Sequence, residues 1–153
     1  MCDPSDRKRV LSADELADLF GQEGVRPTAL RELIYTTIAR SDEALSLGDI
    51  EIRLSTVDKS TISRTLHLLE TVGVIHHIND GSGAVKYAVS QIDTDEPHNA
   101  PHAHFYCIRC GKTVCIDHIL PPPIELPKGY TAQAFNMIVR GICPSCNGIA
   151  PVE

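Results

Sequence analysis

Apolar residues recur at helical spacing in the first half of the chain and predict four helices. The predicted segments are residues 12–20, a segment that begins at Pro27, residues 46–54 and residues 58–73. Two of them open with a capping box, in which a serine is followed three residues later by an acidic residue. These pairs are Ser12 with Glu15 and Ser46 with Asp49. Gly73 is expected to end the last helix.

The same spacing predicts which side chains share a face on the two longest helices. On the second helix they are Leu30, Leu33, Ile34, Thr37 and Ile38. On the fourth they are Ile62, Leu66, Leu69 and Val72. These faces are expected to meet in one core.

The pattern changes after Gly73 to two short β-type runs, VIHHI and AVKYAV, on either side of the turn-forming sequence NDGSG. This arrangement predicts a hairpin. Helices followed by a two-stranded hairpin have the outline of a winged helix, in which the third and fourth helices form a helix-turn-helix.

Residues 90–101, SQIDTDEPHNAP, have no periodicity and contain two prolines, so they are predicted to form a hinge. Beyond them HFYCI, TVCI and AQAFNMIVR favour strands, whereas the prolines of LPPPIELPKG exclude a long helix. The expected fold class is α+β. A winged-helix domain over residues 1–89 precedes a small α/β domain over residues 102–153.

Composition places the chain among ordinary globular proteins, with 42% hydrophobic and 22% charged residues. No apolar run approaches the roughly 20 residues of a membrane helix, and the N-terminal MCDPSDRKRV is not a signal peptide. A cytoplasmic protein with no membrane partner is expected. Residues 1–90 carry ten Lys and Arg against fourteen Asp and Glu. Any contact with nucleic acid must therefore come from a local patch or from dimer geometry.

Five of the six cysteines lie after residue 106, and four of them form two C-x-x-C pairs. In a reducing cytosol such pairs are more often metal ligands than disulfides. The pairs are Cys107 with Cys110 and Cys143 with Cys146. Together they offer the four thiolates of a closed tetrahedral site, which predicts a structural zinc ion. Disulfides or free thiols are the alternative.

The order of these motifs resembles the ferric uptake regulator family of metal-dependent transcriptional regulators, from about residue 20 to residue 147. RPTALREL is similar to its early Thr-x-x-Arg segment, KSTISRTLHLLETVGVI to its recognition helix and DGSGAVKYAV to the return strand of its wing. HAHFYCIRCGK resembles its His-x-His followed by C-x-x-C-G, and RGICPSC resembles its last knuckle.

The resemblance implies a homodimeric transcription regulator, usually a repressor of metal-uptake or stress genes, and not an enzyme. Its winged helices would bind a palindromic operator, and a regulatory metal between the domains would set their angle. The residues expected to contact DNA are polar or basic positions off the apolar stripe: Lys59, Ser60, Thr61, Ser63, Arg64 and Lys86, with His67, Arg7, Lys8 and Arg9 as further candidates. Ser63 stands where the family usually has tyrosine.

His102 and His104 match the histidine pair of the family's sensing site, and Cys115 stands at its usual acidic position. These three are the expected ligands of a regulatory divalent ion. The fourth ligand is expected to be His77, with His76, His98 and His118 as the other candidates. Alternation along the strand allows only one of the first two.

A thiolate with imidazoles suits zinc better than iron(II), so a zinc-responsive regulator is expected. An iron-responsive or peroxide-responsive member of the same family is the alternative. A further family site is expected to be absent, because Pro101, Ala103 and Phe135 stand at its ligand positions. A zinc enzyme is disfavoured because no carboxylate lies beside the histidines and no H-E-x-x-H occurs. A winged helix that binds protein is the remaining alternative.

Overall fold

The computed structural model describes residues 9–90, 102–116, 119, 121–133 and 135–148. Over these ranges the chain forms helices first and then strands. The elements are α1 Ala13–Gln22, α2 Ala29–Ala39, β1 Leu45–Ser46, α3 Leu47–Arg53, α4 Lys59–Val72, β2 Ile75–Asn79, β3 Val85–Val89, β4 Ala103–Cys107, β5 Thr113–Ile116 and β6 Met137–Gly141. The predicted α+β class is confirmed.

The helix ends follow the predicted local chemistry. Both capping boxes are formed, at the start of α1 and at the start of α3. The side chain of Thr28 caps α2, so this helix starts two residues after Pro27. Gly73 ends α4 with a left-handed backbone, φ 88°. A residue with a side chain rarely adopts this conformation, which is why glycine suits the turn into β2.

The predicted stripe of α4 is buried in a core shared with α1, α2 and α3. On α2 the buried face is rotated from the predicted one. Leu33 is 46% exposed, whereas Tyr35 is 1% exposed. The Tyr35 hydroxyl accepts a hydrogen bond from the Leu11 N–H at 3.2 Å, so its one polar atom is satisfied inside the core.

The first sheet has the strand order β1-β3-β2, with both pairings antiparallel. The hairpin of β2 and β3 was predicted, and we call it the wing. Strand β1 was not predicted, because two residues are too few for any periodicity. It pairs with β3 and joins the helices to the wing.

The second sheet has the order β5-β4-β6, in which β4 runs antiparallel to β5 and parallel to β6. Strand β6 begins at Met137, later than predicted. Among the described residues from 102 onward there are strands and turns but no helix.

Of the predicted hinge, only Ser90 lies within the described residues. The division into two domains at this point therefore stays a prediction. The two sheets nevertheless contact each other directly, because Lys86 of β3 donates to Thr113 Oγ1 of β5 at 2.8 Å. In the part of the chain that the structure describes, no helix is long and apolar enough to cross a membrane.

Candidate metal centres and nucleic-acid interface

Four cysteine sulfurs lie together at one end of the second sheet, all within 4.8 Å of one another. Cys107 ends β4, and Cys110 lies in the turn that follows. Cys143 and Cys146 follow β6, whose parallel register sets Gly141 beside Cys107. The parallel pairing of β4 with β6 thus brings the second C-x-x-C to the first.

The spacing of these sulfurs fits zinc. Cys110 Sγ lies 3.8 Å from Cys143 Sγ. A tetrahedral zinc with bonds of about 2.3 Å to sulfur would separate neighbouring sulfurs by about 3.8 Å. A disulfide would need about 2.05 Å. All four are free thiols, so the geometry is that of a closed four-thiolate site.

The electrostatics of this cluster also favour a cation. Hydrogen bonds from the backbone N–H groups of Cys110 and Cys143 lower the pKa of Cys107 to about 6. The Cys146 thiol donates to its neighbour Cys143 and is crowded by the other sulfurs, which raises its pKa to about 12. Without an ion the cluster therefore keeps a proton on Cys146 at neutral pH, because four thiolates this close together would repel one another. A bound divalent ion would remove that repulsion.

A second cluster lies between the two sheets and consists of His76, His102, His104 and Cys115. The antiparallel register of β4 and β5 sets His104 opposite Cys115. His102 immediately precedes β4, and His76 lies on β2 of the wing. Three candidate ligands thus come from the second sheet and one from the first.

The distances in this cluster also fit tetrahedral coordination. His76 Nε2 lies 3.4 Å from His104 Nε2 and 3.5 Å from Cys115 Sγ. Zinc bonds of about 2.0–2.1 Å to nitrogen and 2.3 Å to sulfur would give separations of about 3.3 and 3.5 Å. His76 Nδ1 lies 3.4 Å from Ser90 Oγ. This contact orients the imidazole so that Nε2 is the atom offered to an ion.

The structure brings His76 to this cluster instead of His77, which the sequence ranked first. His77 lies on the opposite, exposed face of β2 and is hydrogen-bonded to Glu70 of α4. Adjacent side chains of a strand point to opposite faces of the sheet. The face of β2 that carries His76 is directed toward β4 and β5, so His77 points away from them. His98 and His118 lie outside the described residues.

Helix α4, the predicted recognition helix, has most of its predicted DNA contacts in solvent: Lys59, Ser60, Ser63, Arg64 and His67 are exposed, and Thr61 is half-buried. Ser60 and Thr61 use their hydroxyls to donate to the capping residue Asp58. These hydrogen bonds hold the pKa of Asp58 well below its usual range. The start of α4 thus carries a carboxylate, and the open basic group in its middle is Arg64.

Lys86 was predicted to contact DNA, but it is buried between the two sheets. Its Nζ is buried and donates to Asp80 at 2.8 Å, to Thr113 Oγ1 at 2.8 Å and to the Gly111 carbonyl at 2.6 Å. The local pattern could not reveal these partners, because Thr113 and Gly111 lie more than twenty residues away. The expectation that Lys86 contacts phosphate is corrected to a contact between the two sheets.

Two smaller predictions concern residues at the edges of this region. Arg9 is exposed and pairs with Glu15, while Arg7 and Lys8 lie outside the described residues. Three residues stand at the ligand positions of the further family site that is expected to be absent. Of these, Ala103 is buried in β4 and Phe135 is exposed. Pro101 lies outside the described residues, and the absence of that site stays an expectation.

Comparison with known proteins gives consistent matches along most of the chain. The sequence model of the ferric uptake regulator family matches residues 22–140. The ferric uptake regulation protein of Campylobacter jejuni is 27% identical over 142 residues, which cover 84% of each chain. The protein of the same name from Bacillus subtilis is 24% identical over 144 residues, 88% of this chain and 94% of that one.

Two solved structures share the fold at low sequence identity. A zinc uptake regulator complexed with zinc and DNA has a TM-score of 0.64 and 20% identity, covering 89% of this chain and 93% of that one. The ferric uptake regulator of Helicobacter pylori, described as having three functional metal binding sites, has a TM-score of 0.60 and 18% identity. The aligned region covers 92% of this chain and 97% of the Helicobacter pylori chain.

Proposed function

Because the chain belongs to the ferric uptake regulator family, whose members are transcription regulators and not enzymes, we propose that it is a zinc-responsive repressor of metal-uptake or homeostasis genes. It acts as a homodimer on a palindromic operator in the cytoplasm. The observation that carries the proposal is the cluster of His76, His102, His104 and Cys115, since its ligands come from both sheets.

The donor chemistry of that cluster supports zinc as the regulatory ion. Its four members are three imidazoles and one thiol, with no carboxylate among them. Soft sulfur and borderline nitrogen donors suit zinc, whereas iron(II) sites usually include oxygen donors. Iron is the competing assignment, because the curated relatives are named ferric uptake regulation proteins. The four-cysteine cluster is assigned to a structural zinc, as it leaves no open position.

His76 connects the regulatory site to the recognition helix. Only Gly73, Val74 and Ile75 separate the end of α4 from His76. A bound ion would supply coordinate bonds that join the wing to β4 and β5. Holding His76 beside His104 fixes the direction of α4 relative to the second sheet. In a dimer this sets the separation of the two recognition helices, which must match the spacing of the half-sites.

Affinity for DNA then depends on metal through a population shift. Without the ion, the chain also samples arrangements in which His76 lies farther from His102, His104 and Cys115. The ion binds most tightly where all four side chains converge, so it raises the population of that arrangement. By linkage, operator DNA that selects the same arrangement raises the affinity for the ion by the same factor.

The second domain is assigned as the dimerisation domain. Several of its large apolar side chains are exposed in the single chain: Ile108, Ile119, Ile124, Leu126, Tyr130, Phe135, Val139 and Ile142. Exposed apolar groups concentrated in one part of a chain mark an interaction surface. A second copy of the chain is the partner that the family implies.

On the DNA side, Arg64 and Ser63 are proposed as the central contacts of α4. Arg64 is exposed and can donate two parallel hydrogen bonds to a guanine edge. The net charge of −6 gives no general attraction to DNA, so recognition relies on this local patch. Lys59 at the start of the helix adds a phosphate contact.

The experiment is an elemental analysis before and after mild chelation, with an operator mobility shift in both states. The expected result is one removable zinc and one retained zinc per chain, with DNA binding lost on removal and restored by zinc. Restoration by iron(II) alone would reassign the regulator to iron. The double variant His102→Ala, His104→Ala should keep the dimer and the retained zinc. If it still bound the operator in a metal-dependent way, the proposal would fail.

A further inference from the structure

A buried polar contact joins the wing to the second sheet at the opposite end of the hairpin from the regulatory cluster. Asp80 follows β2, Lys86 lies on β3 and Thr113 begins β5. Lys86 donates to both of the others at 2.8 Å, and Thr113 Oγ1 donates to Asp80 Oδ2 at 2.5 Å. We call these three residues the wing clasp.

The wing clasp is almost completely buried. The side chains of Lys86 and Asp80 are 10% and 0% exposed, and Thr113 is 0% exposed. Lys86 Nζ has three oxygen partners, because it also donates to the Gly111 carbonyl at 2.6 Å. An ammonium group has three N–H donors, so Lys86 is fully satisfied in this position.

Asp80 is held in its charged form by these contacts. Burial alone would raise its pKa, but hydrogen bonds from Lys86, Ser82 and Thr113 outweigh burial and keep the pKa well below its usual range. A buried ion pair adds little net stability over an apolar pair of the same size. The ion pair instead fixes the relative positions of the segments that carry it, since a buried charge is stable only where its partners keep their places.

Further contacts surround the wing clasp and keep the same two surfaces together. Asn136 Nδ2 donates to the Asn79 carbonyl at 3.0 Å. The wing turn also lies close to a side chain of β6, because a Cβ added at Gly81 would lie 3.2 Å from Arg140 Nη1. None of these atoms belongs to either metal cluster. The two surfaces are therefore held together by contacts separate from those of the regulatory ligands.

We propose that Asp80, Lys86 and Thr113 are positioning residues for the regulatory metal site. They hold the turn end of the wing against β5, and His76 lies four residues before Asp80 on β2, about 13 Å along the strand. With the turn end fixed, the strand can carry His76 away from His102, His104 and Cys115 only by pivoting. The ion thus meets a site that is already nearly assembled.

This inference rests on the proposed function and predicts how the affinities change. The apparent dissociation constant of the ion equals its intrinsic value divided by the fraction of protein in the competent arrangement. Loss of the wing clasp lowers that fraction. Zinc affinity at the removable site should fall, DNA binding at low zinc should fall with it, and DNA binding at saturating zinc should return to the wild-type value.

The test compares Thr113→Val, which removes the hydroxyl while keeping the shape, with Thr113→Ser, which keeps the hydroxyl. Zinc affinity of the full dimer is measured by competition with a chromogenic chelator, beside operator binding at low and saturating zinc. Thr113→Val should weaken zinc binding by at least about tenfold, because it removes two buried hydrogen bonds, the one from Lys86 and the one to Asp80. Thr113→Ser should stay close to wild type, and so should the exposed control Lys128→Met.

A second variant guards against misfolding of the first. The double variant Asp80→Asn, Lys86→Met removes both charges and leaves neither one uncompensated, and it should show the same loss of zinc affinity. If Thr113→Val and the double variant both retain their four-cysteine zinc and bind the removable zinc as wild type does, the inference is overturned and the proposed function stands. A wild-type protein whose DNA binding ignores zinc and iron(II) would overturn both.

Discussion

Two adjacent histidines on β2 have different contacts because successive side chains of a strand point to opposite faces of the sheet. His76 faces His104 and Cys115, whereas His77 faces Glu70 on the other side. We expect His76→Ala to lower the affinity for the removable metal ion by more than about 100-fold. Loss of a residue that only orients a ligand already costs about 10–100-fold.

His77→Ala is the matched control, one residue away on the same strand. It should bind zinc and operator as wild type does, because its imidazole is exposed and lies on the face away from the cluster. The measurement is zinc titration with an operator mobility shift for both variants. A metal response lost in His77→Ala and kept in His76→Ala would reverse the assignment.

These residues also mark the limit of prediction from sequence at the residue scale. Strand alternation predicted that one of His76 and His77 faces the cluster, but it cannot tell which of the two does. The packing of β2 against β4 and β5 determines that His76 is the one. Lys86 was assigned to DNA because lysine on a wing is ordinarily solvated. Its burial depends on Asp80 and on Thr113, which is 27 residues away along the chain. The cysteine pairs were predictable because their spacing is itself local.

At the scale of elements, the link between α4 and β2 depends on one backbone conformation. Gly73 has φ 88°, a left-handed conformation that costs other residues about 1–2 kcal/mol. We expect Gly73→Ala to lower the free energy of unfolding by about 1 kcal/mol. Denaturant unfolding of the metal-loaded dimer measures this change.

The same substitution elsewhere should have the opposite sign. Gly21 is a helical residue of α1, and a Cβ added there meets nothing within 4 Å. Gly21→Ala should therefore raise the free energy of unfolding by up to about 1 kcal/mol, because glycine is a poor helix former. Equal effects at both glycines would mean that the left-handed turn after α4 has no particular importance.

Elements with local signals were predicted well, and those that depend on distant contacts were not. Each of the four helices has a periodic stripe and a cap, and the hairpin has its own turn signal. Strand β1 exists only because β3 lies beside it. The buried face of α2 includes Tyr35, whose hydroxyl accepts a hydrogen bond from the Leu11 N–H, and the periodicity of the helix cannot reveal this distant partner.

At the scale of the whole molecule, the two metal centres are expected to depend on each other in one direction only. They share β4, since His102 and His104 lie at its start and Cys107 ends it. A zinc ion held by the four cysteines would fix β4 against β6 at the far end of that strand. Loss of this site should therefore also disturb the regulatory ligands, whereas loss of a regulatory ligand should leave the four-cysteine site intact.

Cys115→Ser and Cys143→Ser test this dependence, since each replaces one sulfur by an oxygen in a different centre. Cys115→Ser should retain one tightly bound zinc per chain and the dimer, and lose only metal-dependent operator binding. Cys143→Ser should lose both metals, because the pairing of β4 with β6 is no longer clamped and structural zinc sites contribute folding energy directly. Elemental analysis with size-exclusion chromatography separates the two results. A Cys143→Ser protein that still bound one removable zinc and responded to it on DNA would show that the sensor ligands are held without the four-cysteine site.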